Sequence, residues 1–456
     1  MIKRNLPMEI ANKKEASLLF FGDVVIFIIA LWLALYFRHF KLPEEGLFLA
    51  HLLPFGFLSL LWTFVFFIAG LYEKHTLFLR SKLLDTLFNA QIANAFLAVM
   101  FFYFIPQFGI NPKTNLFIYL VVSSILIFLW RFYGFKLFNV KTRERALIVG
   151  NSIESDEIIN EVNNNPRYNL IFDSAINPEM LNEGQIRNEL ISKINAKNLS
   201  VAVVDFNNSK IESVLSRLYD QTFPKIRFID MRSVYEDIFD RVPLSLLKHS
   251  WFLENISLSP KAIYDIFKRA MDMAIAFVLG VISLIFYPFV YLAIKLDDGG
   301  KIFIIQERIG INNKKIKIIK FRTMAEKKNI NVLKDEANRV TSVGNFLRKS
   351  RIDELPQLFN VLRGDISLIG PRPELPELVK LYEKEITYYN IRHSIKPGIS
   401  GWAQLYQENH PHHGSATEAT KEKLSYDLYY LKNRGVILDL KIALKTIKTL
   451  LSRTGI

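Results

Sequence analysis

Apolar and polar residues along this chain fall into three regimes. Up to about residue 141 the pattern is four nearly continuous apolar segments, near 17–37, 47–70, 87–105 and 115–137. Each approaches the ~20 residues an α-helix needs to cross a bilayer, which predicts a four-helix transmembrane bundle. From 142 to 257 short β-type runs alternate with polar, helix-type stretches. ERALIVG (144–150), YNLIFDSAI (168–176), LSVAVVDF (199–206) and KIRFID (225–230) read as buried strands, with helices near 153–163, 185–197 and 208–220 between them. Such alternation predicts a parallel, Rossmann-like α/β domain. The third regime, 258–456, mixes helix and strand patterns and opens with an apolar run from Met273 to Ile294 that Pro288 interrupts. KIFIIQERIGINNKKIKIIKFRTM (301–324) then predicts a β-hairpin turning at Asn312-Asn313, and 325–343 is a charged, flexible stretch. A helix is expected near 374–394, and 438–453 is amphipathic with lysines on one side, suited to lying on a bilayer surface.

Charge orients these segments. The chain carries a net +14, half its residues are hydrophobic, and 37 are Phe. A basic balance alone is compatible with nucleic acid, but beside long apolar runs it points to an anionic membrane surface. With no cysteine, disulfides and thiolate metal sites are excluded. The N-terminal apolar run lacks a small-residue cleavage site and reads as a retained first helix. Lys3, Arg4, Lys13 and Lys14 precede the first span, Lys74, Arg80 and Lys82 fill the second connection, and Lys136, Lys141, Arg143 and Arg145 follow the fourth. The positive-inside bias puts both ends of the bundle in the cytoplasm, as expected for a multi-pass protein of a bacterial inner membrane. Asp23 and Asp85 lie near span ends, so the bundle offers no transport pathway and reads as structural or partner-recruiting. Lys261, Lys268 and Arg269 precede the apolar run around Pro288, and Lys295, Lys301 and Arg308 follow it. Basic flanks on both sides predict a helix–break–helix that enters one leaflet and returns.

Candidate chemistry concentrates in 344–373, GNFLRKSRIDELPQLFNVLRGDISLIGPRP. Asp353 and Glu354 are adjacent, and Pro356 sets a helix start close to them, because proline is comfortable only in a helix's first turn. Near the positive end of a helix dipole a carboxylate stays ionised and a phosphate is welcome. Arg348, Lys349 and Arg351 lie upstream, and Arg372 follows Pro371 in the Gly-Pro-Arg-Pro turn. Guanidinium groups around a carboxylate suit phosphoryl chemistry. Taken alone, the acidic pair reads as a solvated helix cap, and Lys320 and Arg322 are equally a basic pair facing a membrane. Elsewhere the signals are weak. Gly150 ends a strand where a dinucleotide loop would begin, but Asn151, Ser152, Ile153 and Glu154 follow without further glycines, so no working nicotinamide site is expected. His410, His412 and His413 sit in a loop without the i, i+4 spacing of a helical metal site.

The order KFRTM (320–324), DELPQLFNVLRGD (353–365), SLIGPRPE (367–374), KPGISGWAQ (396–404) and YDLYYLKN (426–433) resembles the bacterial polyprenyl-phosphate hexose-1-phosphate transferases, monotopic phosphoglycosyl transferases that begin glycan assembly on a lipid carrier. The likeness covers about 260–456. It implies a re-entrant membrane hairpin, although the family often has a small residue where Tyr287 precedes Pro288. It also implies a two-step reaction: Asp353 attacks the β-phosphorus of a nucleotide sugar, a UDP-sugar, releasing UMP, and the phosphosugar then passes to undecaprenyl phosphate. Lys320, Arg322 and Arg348 would bind phosphates and Pro371-Arg372 the nucleotide. Asp353 and Glu354 would hold Mg²⁺, since both substrates and carboxylates are anionic, or Glu354 would manage a proton. Exopolysaccharide, capsule or lipopolysaccharide synthesis is the implied setting, with a homo-oligomer possible. The alternative is a non-enzymatic membrane scaffold or regulator. A degenerate enzyme would be expected to have lost Asp353, Glu354 or Arg348, and all are present.

Overall fold

The computed structural model describes residues 13–72, 80–104, 113–134, 143–165, 168–197, 199–214, 226–256, 261–297, 299–325, 340–406 and 417–452. The histidine loop and most of the charged stretch after 325 lie outside them. The chain divides into two units, 1–238 and 239–456.

In the first unit, the apolar segments form α1 (Lys13–His39), α2 (Glu45–Ile68), α3 (Arg80–Phe104) and α4 (Lys113–Leu129), the last continued by a π-helical turn at Trp130–Gly134. All four are long and apolar enough to cross a membrane. Phe27, Phe55, Trp62 and Tyr119 pack in their shared core, while Phe21, Leu53, Phe88 and Phe117 point outward. Helices apolar on both the packed and the outer side are what a lipid environment selects. Among the polar contacts that cross this core is a charged one. Asp23, on α1, pairs with Arg131 and accepts a 2.7 Å hydrogen bond from the Tyr72 hydroxyl. Each charge would be prohibitive alone, so they are kept together. Arg131 falls within the fourth predicted span, 115–137.

The second regime forms β1 (Glu144–Val149), α5 (Ile153–Asn164), β2 (Leu170–Ile176), α6 (Glu183–Lys197), β3 (Val201–Val204), β4 (Arg227–Asp230) and α7 (Met231–Phe239). The strands make one parallel sheet in the order β2-β1-β3-β4. Every residue of β3 is buried, as the continuous Val-Ala-Val-Val run requires of a strand covered on both faces. Gly150 has a packing reason: a Cβ there would stand 2.5 Å from Met231 Cε.

The second unit begins earlier than the predicted boundary at 258. Residues 239–256, assigned from sequence to the α/β domain, include α8 (His249–Asn255), and Val242, Trp251 and Phe252 share a core with Tyr382, Leu424 and Leu428. The apolar run around Pro288 becomes α9 (Ala262–Ser283) and α10 (Tyr287–Asp297), bent by 57°. Pro288 does not break a helix interior. It sits in the first turn of α10, where its missing N–H costs nothing, and the break precedes it. Then come the antiparallel β5 (Phe303–Ile309) and β6 (Lys315–Phe321), with Asn312 and Asn313 at positive φ in the turn. After α11 (Ser342–Lys349), a 3₁₀ turn at Ile352–Glu354 leads into α12 (Gln357–Arg363). β7 (Ser367–Ile369) pairs in parallel with β8 (Gly398–Ser400). Between them, α13 (Pro376–Glu385) stops earlier than expected and a 3₁₀ stretch covers Tyr389–Ser394. α14 (Trp402–Tyr406), α15 (Thr417–Asn433) and α16 (Val436–Ser452) complete the unit.

Candidate active site

Three local features build the site. First, α9 fixes α12 from its far end: Arg269 donates to the carbonyls of Val361 (2.7 Å) and Leu362 (2.8 Å), two of the acceptors a helix C-terminus leaves open. Asp272 of α9 accepts from Ser367 Oγ at 2.6 Å, tying in β7 as well. Second, Asn360 stitches α12 to β6. It accepts from the Ile319 N–H (3.0 Å) and donates to the Lys317 carbonyl (2.7 Å), which brings Lys320 to the start of α12. Third, the 3₁₀ turn at Ile352–Glu354 starts from Arg351 in the left-handed conformation (φ 57°), a sparsely populated state for a non-glycine residue. These constraints turn Asp353 and Glu354 inward.

The two carboxylates meet different surroundings. Glu354 Oε1 accepts from Lys320 Nζ (2.8 Å) and Arg372 Nη2 (3.2 Å), and Oε2 stands 3.8 Å from Arg351 Nη1. Burial alone would push the Glu354 pKa up, but Arg372, Lys320 and Arg351 overcome it and hold the group at about 2. Asp353 is 8 % exposed, and its Oδ1 has no hydrogen-bond partner among the described residues. Burial, reinforced by the charge of Glu354, pushes its pKa up to about 6, although Lys320, Arg351 and Arg348 pull the other way. Asp353 lies in the 3₁₀ turn just before α12, where desolvation works against the helix dipole that favours its ionised form. Lys320 is itself lowered by burial against the pull of Glu354, and Arg372 is raised, chiefly by Glu354.

Of the residues expected to act together, the structure therefore joins Asp353, Glu354, Lys320 and Arg372. Arg348 stands one step back, its Nε donating to Thr323 Oγ1 of the KFRTM motif at 2.9 Å. The Arg322 guanidinium lies against Gly300, where a Cβ would stand 1.7 Å from Nη1. Pro371 supplies a carbonyl to the Gly398 N–H (2.9 Å) and holds the turn rather than reaching the carboxylates. Arg308 and Gln357 line the same small cavity as Lys320, Glu354 and Arg372. Neither stood out in the sequence. The strand alternation of 301–324 places Arg308 and Lys320 in β5 and β6, but their facing one cavity depends on the hairpin's packing.

Among the described residues no three metal-ligating side chains cluster. The pair still fits a hard divalent cation of the Mg²⁺ kind, which keeps several waters and uses one or two carboxylates together with substrate phosphates. Asp353 is the freer member of the pair for that role, because both oxygens of Glu354 already face cations. Beside the pair, a cavity of about 610 Å³ opens between the α9–α10 break, β5 and α12, lined almost wholly by apolar side chains including Leu284, Tyr287, Phe303, Leu355, Pro356 and Phe359.

Residues 263–453 match the family model described as bacterial sugar transferase. The chain is 44% identical over 208 residues to the UDP-N-acetylgalactosamine-undecaprenyl-phosphate N-acetylgalactosaminephosphotransferase of Aeromonas hydrophila, covering 44% of this chain and 47% of that protein. It is 39% identical over 194 residues to the uncharacterized sugar transferase EpsL of Bacillus subtilis (strain 168), 42% of this chain and 90% of the relative. It is 37% identical over 183 residues to the UDP-glucose:undecaprenyl-phosphate glucose-1-phosphate transferase of Escherichia coli (strain K12), 40% and 39% of the two chains. The chain thus matches about half the length of the first of these, and nearly all of the short Bacillus protein. The matched span contains all of the carboxylate pair, its ring of cations and the bent helix pair. On that coverage the chain belongs to the bacterial sugar transferases, a family whose curated members include undecaprenyl-phosphate sugar phosphotransferases.

Proposed function

We propose that the second unit transfers a hexose-1-phosphate from a UDP-sugar to undecaprenyl phosphate through a covalent intermediate on Asp353, initiating a surface polysaccharide. The observation that carries this reading is the contrast within the acidic pair. Glu354 is neutralised by Lys320 and Arg372, while Asp353 Oδ1 has no hydrogen-bond partner among the described residues. An unpartnered, desolvated carboxylate oxygen is a better nucleophile than one gripped by cations.

In the first step an Asp353 oxygen attacks the β-phosphorus, and the bond from that phosphorus to the bridging oxygen breaks. UMP leaves with the bonding pair. In the second, an oxygen of the lipid phosphate attacks the same phosphorus, the bond to Asp353 breaks, and the carboxylate is regenerated. Lys320, Arg372 and, after local adjustment, Arg348 and Arg322 supply positive charge to phosphate oxygens. Mg²⁺ held through the second oxygen of Asp353, with Glu354 beside it, would leave Oδ1 to attack and would supply Lewis-acid neutralisation of the diphosphate. Glu354 acts first as the anchor that keeps Lys320 and Arg372 converged.

The apolar cavity supports a lipid acceptor, because Leu355 and Pro356, which directly follow the carboxylate pair in the chain, form part of its lining. The 57° bend supports a hairpin that enters one leaflet and returns, bringing the site to the headgroup plane on the cytoplasmic face of the inner membrane. The parallel sheet of the middle region is read as a degenerate Rossmann-like domain without a cofactor. Purified protein given a panel of UDP-sugars and undecaprenyl phosphate should release UMP with one or a few of them and form the matching lipid diphosphate sugar. Lack of turnover with every UDP-sugar would refute the donor class.

A further inference from the structure

Arg372 lies on a bend whose every residue is fastened by a different partner. The Gly370 N–H donates to the Ser400 carbonyl (2.9 Å), and the Pro371 carbonyl accepts from the Gly398 N–H (2.9 Å). The Arg372 carbonyl accepts from Arg392 Nη2 (3.0 Å), the Pro373 carbonyl from Arg308 Nη1 (3.4 Å), and the Glu374 carbonyl from the Ile309 N–H (2.9 Å). Behind the bend lies a charged cluster on the 3₁₀ stretch and α15. Arg392 and Asp427 have side chains 1% exposed and are joined by contacts of 2.8 Å from Nε and 2.7 Å from Nη2. Arg392 Nη1 donates to the Tyr389 hydroxyl at 2.9 Å, so each guanidinium nitrogen is in use. Glu374 pairs with Lys423 and stands 3.8 Å from Arg392.

Such a cluster is a poor device for stability alone, because well-packed apolar residues of the same volume serve equally well or better. What apolar residues cannot do is hold a backbone carbonyl in a defined direction. We infer that Arg392, oriented by Asp427, is a positioning residue: by gripping the Arg372 carbonyl it aims the Arg372 guanidinium at Glu354 and at the phosphates of an incoming nucleotide sugar. This rests on the reading of the carboxylate pair as the transfer site. It assigns a role in donor binding to residues that touch no substrate.

Lysine at 392 would keep the charge opposite Asp427 but has a single nitrogen and cannot reach Asp427, Tyr389 and the Arg372 carbonyl together. The test is a double-mutant cycle on the full-length protein in lipid nanodiscs, reading UMP release from a UDP-sugar. Arg392→Lys should lower kcat/KM for the donor by on the order of 10²-fold, as for other remote changes that misplace a binding group. In an Arg372→Ala background the same substitution should add little, because its route of action is gone. Asp427→Asn, a near-isosteric change, should show the same non-additivity, and thermal unfolding of each variant reports whether it is folded. Additive losses in folded variants, or full activity in Arg392→Lys, would overturn the inference. Absence of UMP release by the wild type would instead refute the transfer reading, and the positioning role with it.

Discussion

Asp353 gives up most of its water on folding and receives no hydrogen bond at Oδ1 in return, while its neighbour Glu354 trades water for three cations. Opposite stability effects follow. The folded-state pKa of Asp353, about 6, exceeds its ordinary 3.8. Its ionisation therefore opposes folding, with no penalty below the unfolded value and the full penalty above pH 6. For Glu354 the folded value of about 2 lies below the ordinary 4.5. Its charge favours folding above pH 4.5, and that contribution is lost as pH falls toward 2. Asp353→Asn should accordingly raise the unfolding free energy at pH 7.5 by ~1–3 kcal/mol, whereas Glu354→Gln should lower it by ~3–5 kcal/mol, by leaving Lys320 and Arg372 facing an uncharged group. Both variants should be inactive, so stability separates roles that activity cannot. Thermal or chaotrope unfolding in one detergent checks this, and equal destabilisation by both would contradict it. Wild-type UMP release should also fall about tenfold per pH unit below 6, as the nucleophile protonates.

At the scale of elements, the sequence announced most of the architecture and missed what depends on packing. Continuous apolar runs marked α1–α4, the Val-Ala-Val-Val run marked a covered strand, and the Asn-Asn pair marked the β5–β6 turn. The packing of segment 239–256 has no local signal, because its partners, Tyr382 and Leu424, lie more than a hundred residues away in the chain. Arg392 and Asp427 are only 35 residues apart, but no local pattern pairs them, because the 3₁₀ stretch and α15 meet only in the folded unit. Pro288 correctly flagged an interruption, but the chain places it at the start of α10 and bends before it. That bend carries the membrane prediction. In this cysteine-free chain, single cysteines at 261 and 297, flanking the two helices, should both react with a membrane-impermeant maleimide from the cytoplasmic side only. Labelling from opposite sides would make the pair a crossing helix.

For the molecule as a whole, the family match stops near residue 263, and the two regions before it have cores of their own. The bundle contributes apolar surface and one buried ion pair, and the sheet contributes a packed glycine where a cofactor loop would start. The residues described around Asp353 belong to the second unit. A unit that carries the carboxylates, the cations, the apolar cavity and the bent helix pair has what is needed to join a water-soluble donor to a lipid acceptor. The claim on which this rests is that Asp353 becomes covalently phosphorylated. The direct measurement is to give the wild-type protein a UDP-sugar labelled in the sugar, with no lipid acceptor, and to follow both UMP and protein-bound label. The account predicts stoichiometric UMP release with label retained on the protein, discharged on adding undecaprenyl phosphate, and neither event in Asp353→Asn. UMP release that requires the lipid phosphate, or label captured by the Asn variant, would mean direct transfer between the two substrates and would reduce Asp353 to a metal ligand.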